Sequence, residues 1–177
     1  MEVRSRHHLR SDTISEIQTV LSEQLGVEIE ADSYEKVELA DSDWDVVLVD
    51  GDPLVVYYAS GVGENATGDE EYESDDGETP FLTVRGANAH PPEKRVVTVD
   101  AGAIQFVSNG ADVMRPGIVA ADEVIEAGDL VVVSEETHGK FLAIGRALVD
   151  GAEMTGEEGR VVESLHHVGD DLYELVV

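Results

Sequence analysis

The apolar residues of this chain come in short pieces, and this restricts its possible folds more than any other feature. The longest uninterrupted run, Leu54 to Ala59, has six residues, whereas a bilayer-spanning helix needs about 18. Short runs separated by Gly, Pro, Asp and Asn are the pattern of strands joined by turns. Apolar residues fill 42 % of the 177 positions, enough to build a core in one compact domain or two small ones. Cysteine is absent, which excludes disulfides, thiol catalysis and Cys-ligated zinc or iron–sulfur centres. The start, Met1-Glu2-Val3-Arg4-Ser5-Arg6, is charged with no apolar stretch behind it. No secretory signal is therefore expected, and the cytoplasm is the expected compartment.

Thr13 and Glu16 fit a capping box, and Ile14, Ile17, Leu21 and Leu25 recur at helical spacing until Gly26, which predicts a helix. Lys36-Val37-Glu38-Leu39 alternates like a strand. The runs Trp44 to Val49 and Leu54 to Ala59 flank Asp50-Gly51, a hairpin signal. Phe81-Leu82-Thr83-Val84-Arg85 is a further ordered piece, and Pro91-Pro92 marks a domain boundary, placed between residues 94 and 95. The second half opens with a strand at Val96-Val97-Thr98-Val99. Asp100 is positioned to cap a helix over 101–109 that buries Ile104, Phe106 and Val107, with Gly110 as its left-handed terminus. Strands are predicted at 130–134 and 141–148, and a closing hairpin pairs 161–168 with 172–176. The count suits a small, mostly antiparallel β-barrel decorated by short helices.

The chain carries 39 acidic and 11 basic residues, a formal charge of −28. The acids are spread along its length, as in proteins that work in molar salt, where the Debye length is about 3 Å and self-repulsion is screened. A locally functional acidic surface is the competing reading. Glu64 to Glu78 alone clusters, with eight acids and no base, and the composition of 61–79 predicts a solvated, mobile loop.

The segment from Val99-Asp100-Ala101-Gly102-Ala103-Ile104-Gln105-Phe106-Val107 through Asn109-Gly110-Ala111-Asp112-Val113-Met114-Arg115-Pro116-Gly117-Ile118 strongly resembles the PUA domain, an RNA-binding module. The likeness continues through Ala127-Gly128-Asp129, Ala143-Ile144-Gly145-Arg146-Ala147 and His166-His167-Val168-Gly169-Asp170-Asp171-Leu172-Tyr173. Fewer than one hundred residues precede it, too few for the catalytic domain of a pseudouridine synthase or transglycosylase. The amino-terminal half resembles the pre-PUA domain of the stand-alone archaeal PUA proteins and the malignant-T-cell-amplified-sequence family, itself similar to the amino-terminal part of ligatin. The resemblance implies an α+β protein, with a small pre-PUA α+β domain over 1–94 and a PUA pseudo-β-barrel with short helices over 95–177. It also implies RNA binding, on tRNA or small-subunit rRNA, in translation initiation or recycling. The expected partners are the ribosome and an initiation-factor-like protein, for a monomeric chain from a halophilic archaeon.

The residues themselves admit that chemistry. Gly110 and Gly117 lack a Cβ, so backbone N–H groups near Ala111 and Pro116 can approach a phosphate or base edge. Arg115 offers a planar fork and Met114 a soft apolar surface. On residues alone, Pro116-Gly117 reads first as a plain turn, with Met114 in the core and Arg115 paired to an acid. The resemblance favours RNA contact and makes Arg115, Lys140 and Arg146 the candidate bases, with Arg160 behind them. Lys140 sits in the turn Thr137-His138-Gly139-Lys140, which also reads as an ordinary exposed hairpin. Arg4, Arg6, His7, His8 and Arg10 form the densest basic patch. It is either an RNA-contacting arm or a frayed end whose charges offset nearby acid. No ligand set is completed around His7 and His8. His166 and His167 fall in a strand and face opposite sides.

No nucleophile elbow, Walker loop, zincin motif or dinucleotide fingerprint occurs, so no enzyme, metal or cofactor is expected. Two rival functions remain from sequence: an RNA-targeting accessory subunit for a separate modification enzyme, and an acidic interaction module for basic ribosomal or initiation proteins.

Overall fold

A computed structural model of the chain describes residues 1–59 and 78–177. Most of the acidic loop expected at 61–79 lies outside the described residues, and its last two residues belong to a strand. Five strands, β1 (Val3–His8), β2 (Tyr34–Leu39), β3 (Asp45–Val49), β4 (Asp52–Ala59) and β5 (Glu78–Leu82), form an antiparallel sheet in chain order. The helix α1 (Ser11–Leu25) lays Ile17, Leu21 and Leu25 on it. Asp50 and Gly51 turn β3 into β4 with φ of 50° and 88°, as a tight hairpin requires. The Asp50 carboxylate also accepts the N–H groups of Asp32 and Ser33.

Two expectations for this half are corrected. α1 starts at Ser11, not at the Thr13 box: Arg10 is the capping residue, and Thr13 donates its N–H to Asp12. The basic amino terminus is not a frayed end but strand β1, held to β2 by a two-pronged contact of Arg6 with Glu35 at 2.8 and 3.0 Å. Val3 is the only apolar residue of this strand and is exposed, so the apolar alternation that marks a half-buried strand is absent.

The short helix α2 (Val84–Ala89) follows β5. Thr83 initiates it, accepting the Gly86 N–H at 3.0 Å and donating to the Pro53 carbonyl at 2.9 Å. Gly86 is required here because a Cβ would collide with the Leu54 carbonyl.

The second sheet holds β6 (Val96–Val99), β7 (Val113–Met114), β8 (Ile118–Ala121), β9 (Leu130–Glu135), β10 (Phe141–Ala147) and β11 (Arg160–His167), in the spatial order β7-β11-β10-β9-β6-β8. Its two edges, β7 and β8, are consecutive in sequence and joined by Arg115, Pro116 and Gly117 alone. A flat sheet of six strands is about 24 Å wide, and three linking residues reach about 14 Å fully extended. The sheet must therefore roll into a nearly closed barrel, with this linker at its seam. A 3-10 turn at Ala101–Ala103 and the helix α3 (Ile104–Ser108) cover one side.

Phe106 was expected in the core but is 64 % exposed. α3 has only five residues, so Val107 takes the inward position and Phe106, about 100° around the axis, faces out. The closing hairpin also does not form, since no strand follows β11. Asp170 accepts the N–H groups of His167 and Tyr173 and turns the chain, and Leu172 and Leu175 are buried instead in the core beneath the first sheet. That core also takes Leu130, Val132, Phe141 and Ile144 from the barrel, so the two halves pack through shared apolar side chains. No described helix is long and apolar enough to cross a membrane.

Candidate nucleic-acid interface

Two hydrogen bonds from adjacent residues bring the candidate loops together. The Val99 carbonyl accepts the Glu136 N–H at 3.0 Å, and the Asp100 N–H donates to the Gly117 carbonyl at 2.9 Å. The seam linker and the β9–β10 turn therefore flank the same end of β6. Asp100 also caps the following turn through Ala103 N–H at 2.9 Å, as expected from sequence.

The β9–β10 turn is organised by a buried carboxylate. Glu135 accepts N–H groups from Thr137 at 2.7 Å, His138 at 2.8 Å and Lys140 at 3.0 Å. The Lys140 N–H, helped by those of His138 and Thr137, holds this carboxyl below its ordinary range. Gly139 completes the turn with φ of 67°. The Lys140 side chain is left exposed, with no acidic partner among the described residues.

Arg115 is anchored rather than free. Its Nε donates to the Glu153 carbonyl at 2.9 Å and one terminal nitrogen to the Glu158 carbonyl at 3.0 Å. Gly159 leaves the space this needs, since a Cβ there would lie 2.6 Å from the guanidinium. Both acceptors are neutral backbone oxygens, so the charge is oriented without being cancelled, and donors remain on the fork. Among the described residues Arg115 forms no ion pair with a carboxylate.

The other three bases of this half have structural partners. Arg95 approaches Asp129 at 3.7 Å. Arg160 pairs with Asp112 at 2.9 Å, and Asp112 also accepts the Ser164 N–H at 2.8 Å. Arg146 is 8 % exposed and donates to the Gly128 carbonyl at 3.0 Å. Burial lowers its pKa from the ordinary value, against the opposing pull of Glu163. Of the sequence candidates, Arg115 lies in the seam linker and Lys140 in the β9–β10 turn, the two segments bonded to Asp100 and Val99, while Arg146 lies beneath the surface.

Around them the surface is apolar and glycine-rich. Met114 is 48 % exposed and Pro116 and Ala111 are also exposed. Gly110 has φ of 90°, and a Cβ there would approach His167 to 2.7 Å. Phe106 and Val119 add exposed apolar surface on α3 and β8, which the sequence reading missed. The signal for Phe106 was the distance between Asp100 and Gly110, too short for a helix with three inward apolar positions.

The PUA domain family matches residues 95–169. Along 98 % of both chains this protein is 34 % identical to an uncharacterized protein of Methanocaldococcus jannaschii. It is 35 % identical over 94 residues to translation machinery-associated protein 20 of Saccharomyces cerevisiae, covering 49 % of this chain and 52 % of that one. The solved structure of a conserved PUA domain protein from Thermoplasma acidophilum superposes with a TM-score of 0.74 at 27 % identity, over 96 % of this chain and 98 % of that one. From its first sheet to the end of its barrel, the chain belongs to the family of archaeal PUA-domain proteins homologous to translation machinery-associated protein 20.

Proposed function

We propose that this chain is a non-catalytic RNA-binding protein of the translation apparatus, acting in the cytoplasm as a monomer on the small ribosomal subunit or tRNA during initiation or recycling. One observation carries the reading: Arg115 and Lys140 have no carboxylate partner among the described residues, and they belong to the two segments that bond to Asp100 and Val99, one of them with exposed Met114 and Pro116 beside its arginine. The contact surface is made by Gly110, Ala111, Met114, Arg115, Pro116, Gly117 and Lys140. Arg146, the remaining sequence candidate, is buried and donates to the Gly128 carbonyl.

A charge of −28 fits a protein of a salt-loving archaeon. In molar salt, counterion release gives little affinity, since log K falls by about 0.7–0.9 per phosphate contact for each decade of salt. Recognition then rests on RNA shape and base contacts with Phe106 and Met114, because the N–H groups of Gly110, Ala111 and Arg115 donate to the Val107, Phe106 and Gly159 carbonyls and are not open to RNA. Sedimentation of native extract at molar potassium chloride tests the role in translation. Co-migration with the small subunit, lost in Arg115→Ala/Lys140→Ala, is the expected result. Wild-type protein that stays at the top of the gradient contradicts it.

A further inference from the structure

The loop that follows α3 has its own amides paired, and a side chain from another strand places a free polar atom against it. The Gly110 and Ala111 N–H groups donate to the Val107 and Phe106 carbonyls, both at 3.0 Å. Against Gly110 lies the half-buried imidazole of His167, so close that a Cβ on Gly110 would stand 2.7 Å from Nε2. His167 ends β11 and pairs with Ala143 of β10, the strand that leaves the β9–β10 turn. The next residue, Val168, donates its N–H to the Leu142 carbonyl at 2.9 Å. His167 therefore joins the loop after α3 to the strand that begins just beyond Lys140.

The surroundings of Nδ1 decide which ring nitrogen carries the proton. Nδ1 lies 3.1 Å from the Ser108 carbonyl and 2.9 Å from the Val168 carbonyl. Carbonyl oxygens only accept, so in the neutral ring the proton is on Nδ1 and Nε2 keeps its lone pair. Moving the proton to Nε2 would set the Nδ1 lone pair against two oxygens. Nε2 itself forms no hydrogen bond among the described residues and is not one of their buried unpaired atoms, so it opens to solvent. The φ of 90° at Gly110 already favours glycine, and the missing Cβ also leaves Nε2 uncovered.

A neutral acceptor rejects phosphate, whose oxygens also only accept, and selects a donor. Every RNA nucleotide carries one in its 2′-OH, which DNA lacks. Such a contact releases no counterion and so loses nothing to molar salt. We propose that Nε2 of His167 accepts a hydrogen bond from the 2′-OH of a bound nucleotide and so favours RNA over DNA.

The proposal rests on the RNA-binding reading above, and its test separates the two. Wild type, His167→Asn and Arg115→Ala/Lys140→Ala are compared for affinity to tRNA and small-subunit rRNA made with 2′-hydroxyl or 2′-fluoro sugars, across a salt series. The fluoro sugar keeps the RNA pucker but cannot donate. Asparagine carries an amide N–H for the Ser108 and Val168 carbonyls and has no atom at the Nε2 position. His167→Asn is expected to bind 2′-hydroxyl RNA about fivefold more weakly than wild type, with the salt slope unchanged. The wild type's preference for 2′-hydroxyl over 2′-fluoro RNA is expected to fall by the same factor. A merely structural role of His167 lowers both affinities alike and keeps the preference. Ring-nitrogen NMR spectra of the free protein are expected to show the neutral His167 ring protonated on Nδ1.

A His167→Asn variant that keeps the wild-type preference overturns the contact, and the RNA-binding reading still stands when Arg115→Ala/Lys140→Ala weakens binding in the same series. A wild type that binds neither RNA overturns the RNA-binding reading and the contact with it. A neutral ring protonated on Nε2 overturns the contact whatever the affinities.

Discussion

His166 on β11 and Val84 at the start of α2 are joined across the two halves of the molecule: Nε2 of the fully buried imidazole accepts the Val84 N–H at 3.1 Å. The other ring nitrogen, Nδ1, lies 2.8 Å from the Asp170 carboxylate. Since Nε2 accepts an N–H, the proton sits on Nδ1 and is donated to Asp170. One histidine therefore ties the barrel, the turn that ends it and the helix that leaves the first sheet. Replacing His166 by Ala strands a buried amide and opens a void, at a cost of about 3 kcal/mol. Urea unfolding at neutral pH measures it.

Asp170 makes this junction sensitive to acid. Partial burial raises its pKa, but the hydrogen bonds from His166 Nδ1 and from the N–H groups of His167 and Tyr173 outweigh that and leave it below its ordinary value. A carboxyl depressed in the folded state contributes stability that is complete above its unfolded pKa and is lost as pH falls through the folded one. The urea midpoint of the wild type is expected to drop below about pH 4. Asp170→Asn starts lower at neutral pH and shows a shallower acid decline.

Gly86 tests the packing of α2 on the first sheet. Its missing side chain faces the Leu54 carbonyl, a backbone atom with no rotamer to yield. Gly86→Ala is expected to destabilise by about 2–4 kcal/mol despite its better helix propensity. A thermal midpoint equal to that of the wild type contradicts this.

Much of the fold was legible where one local rule decides the outcome. The apolar period of α1, the Gly26 cap at φ of 67° and the Asp50-Gly51 turn are of this kind. Elements decided by distant partners were not legible. α2 contains Gly86 and Asn88, poor helix formers, and exists because Thr83 caps it and Asn88 exchanges hydrogen bonds with Phe141 at 3.0 Å in both directions. The final hairpin fails because Leu172 and Leu175 find a better apolar environment in the shared core. At the site, sequence brought out the seam loop but not what holds its arginine. The carbonyls of Glu153 and Glu158 are 38 and 43 residues away in sequence, and only the fold delivers them.

Phe106 and Met114 separate function from stability. Both are exposed, at 64 % and 48 %, so truncation to Ala is expected to change folding stability by less than about 0.5 kcal/mol. As surfaces for unpaired bases, each is expected to contribute about 1–3 kcal/mol to RNA affinity. Equilibrium binding and urea unfolding on the same protein samples distinguish the two effects.

The central claim, that RNA is held by the seam loop and the β9–β10 turn, is tested most directly by measuring affinity for tRNA and small-subunit rRNA in molar potassium chloride with wild type and Arg115→Ala/Lys140→Ala. The account predicts binding by the wild type, weakened at least about tenfold in the variant, with a salt slope shallower by about 1.4–1.8 for two lost phosphate contacts. A variant that binds as tightly as the wild type, with the same slope, contradicts it.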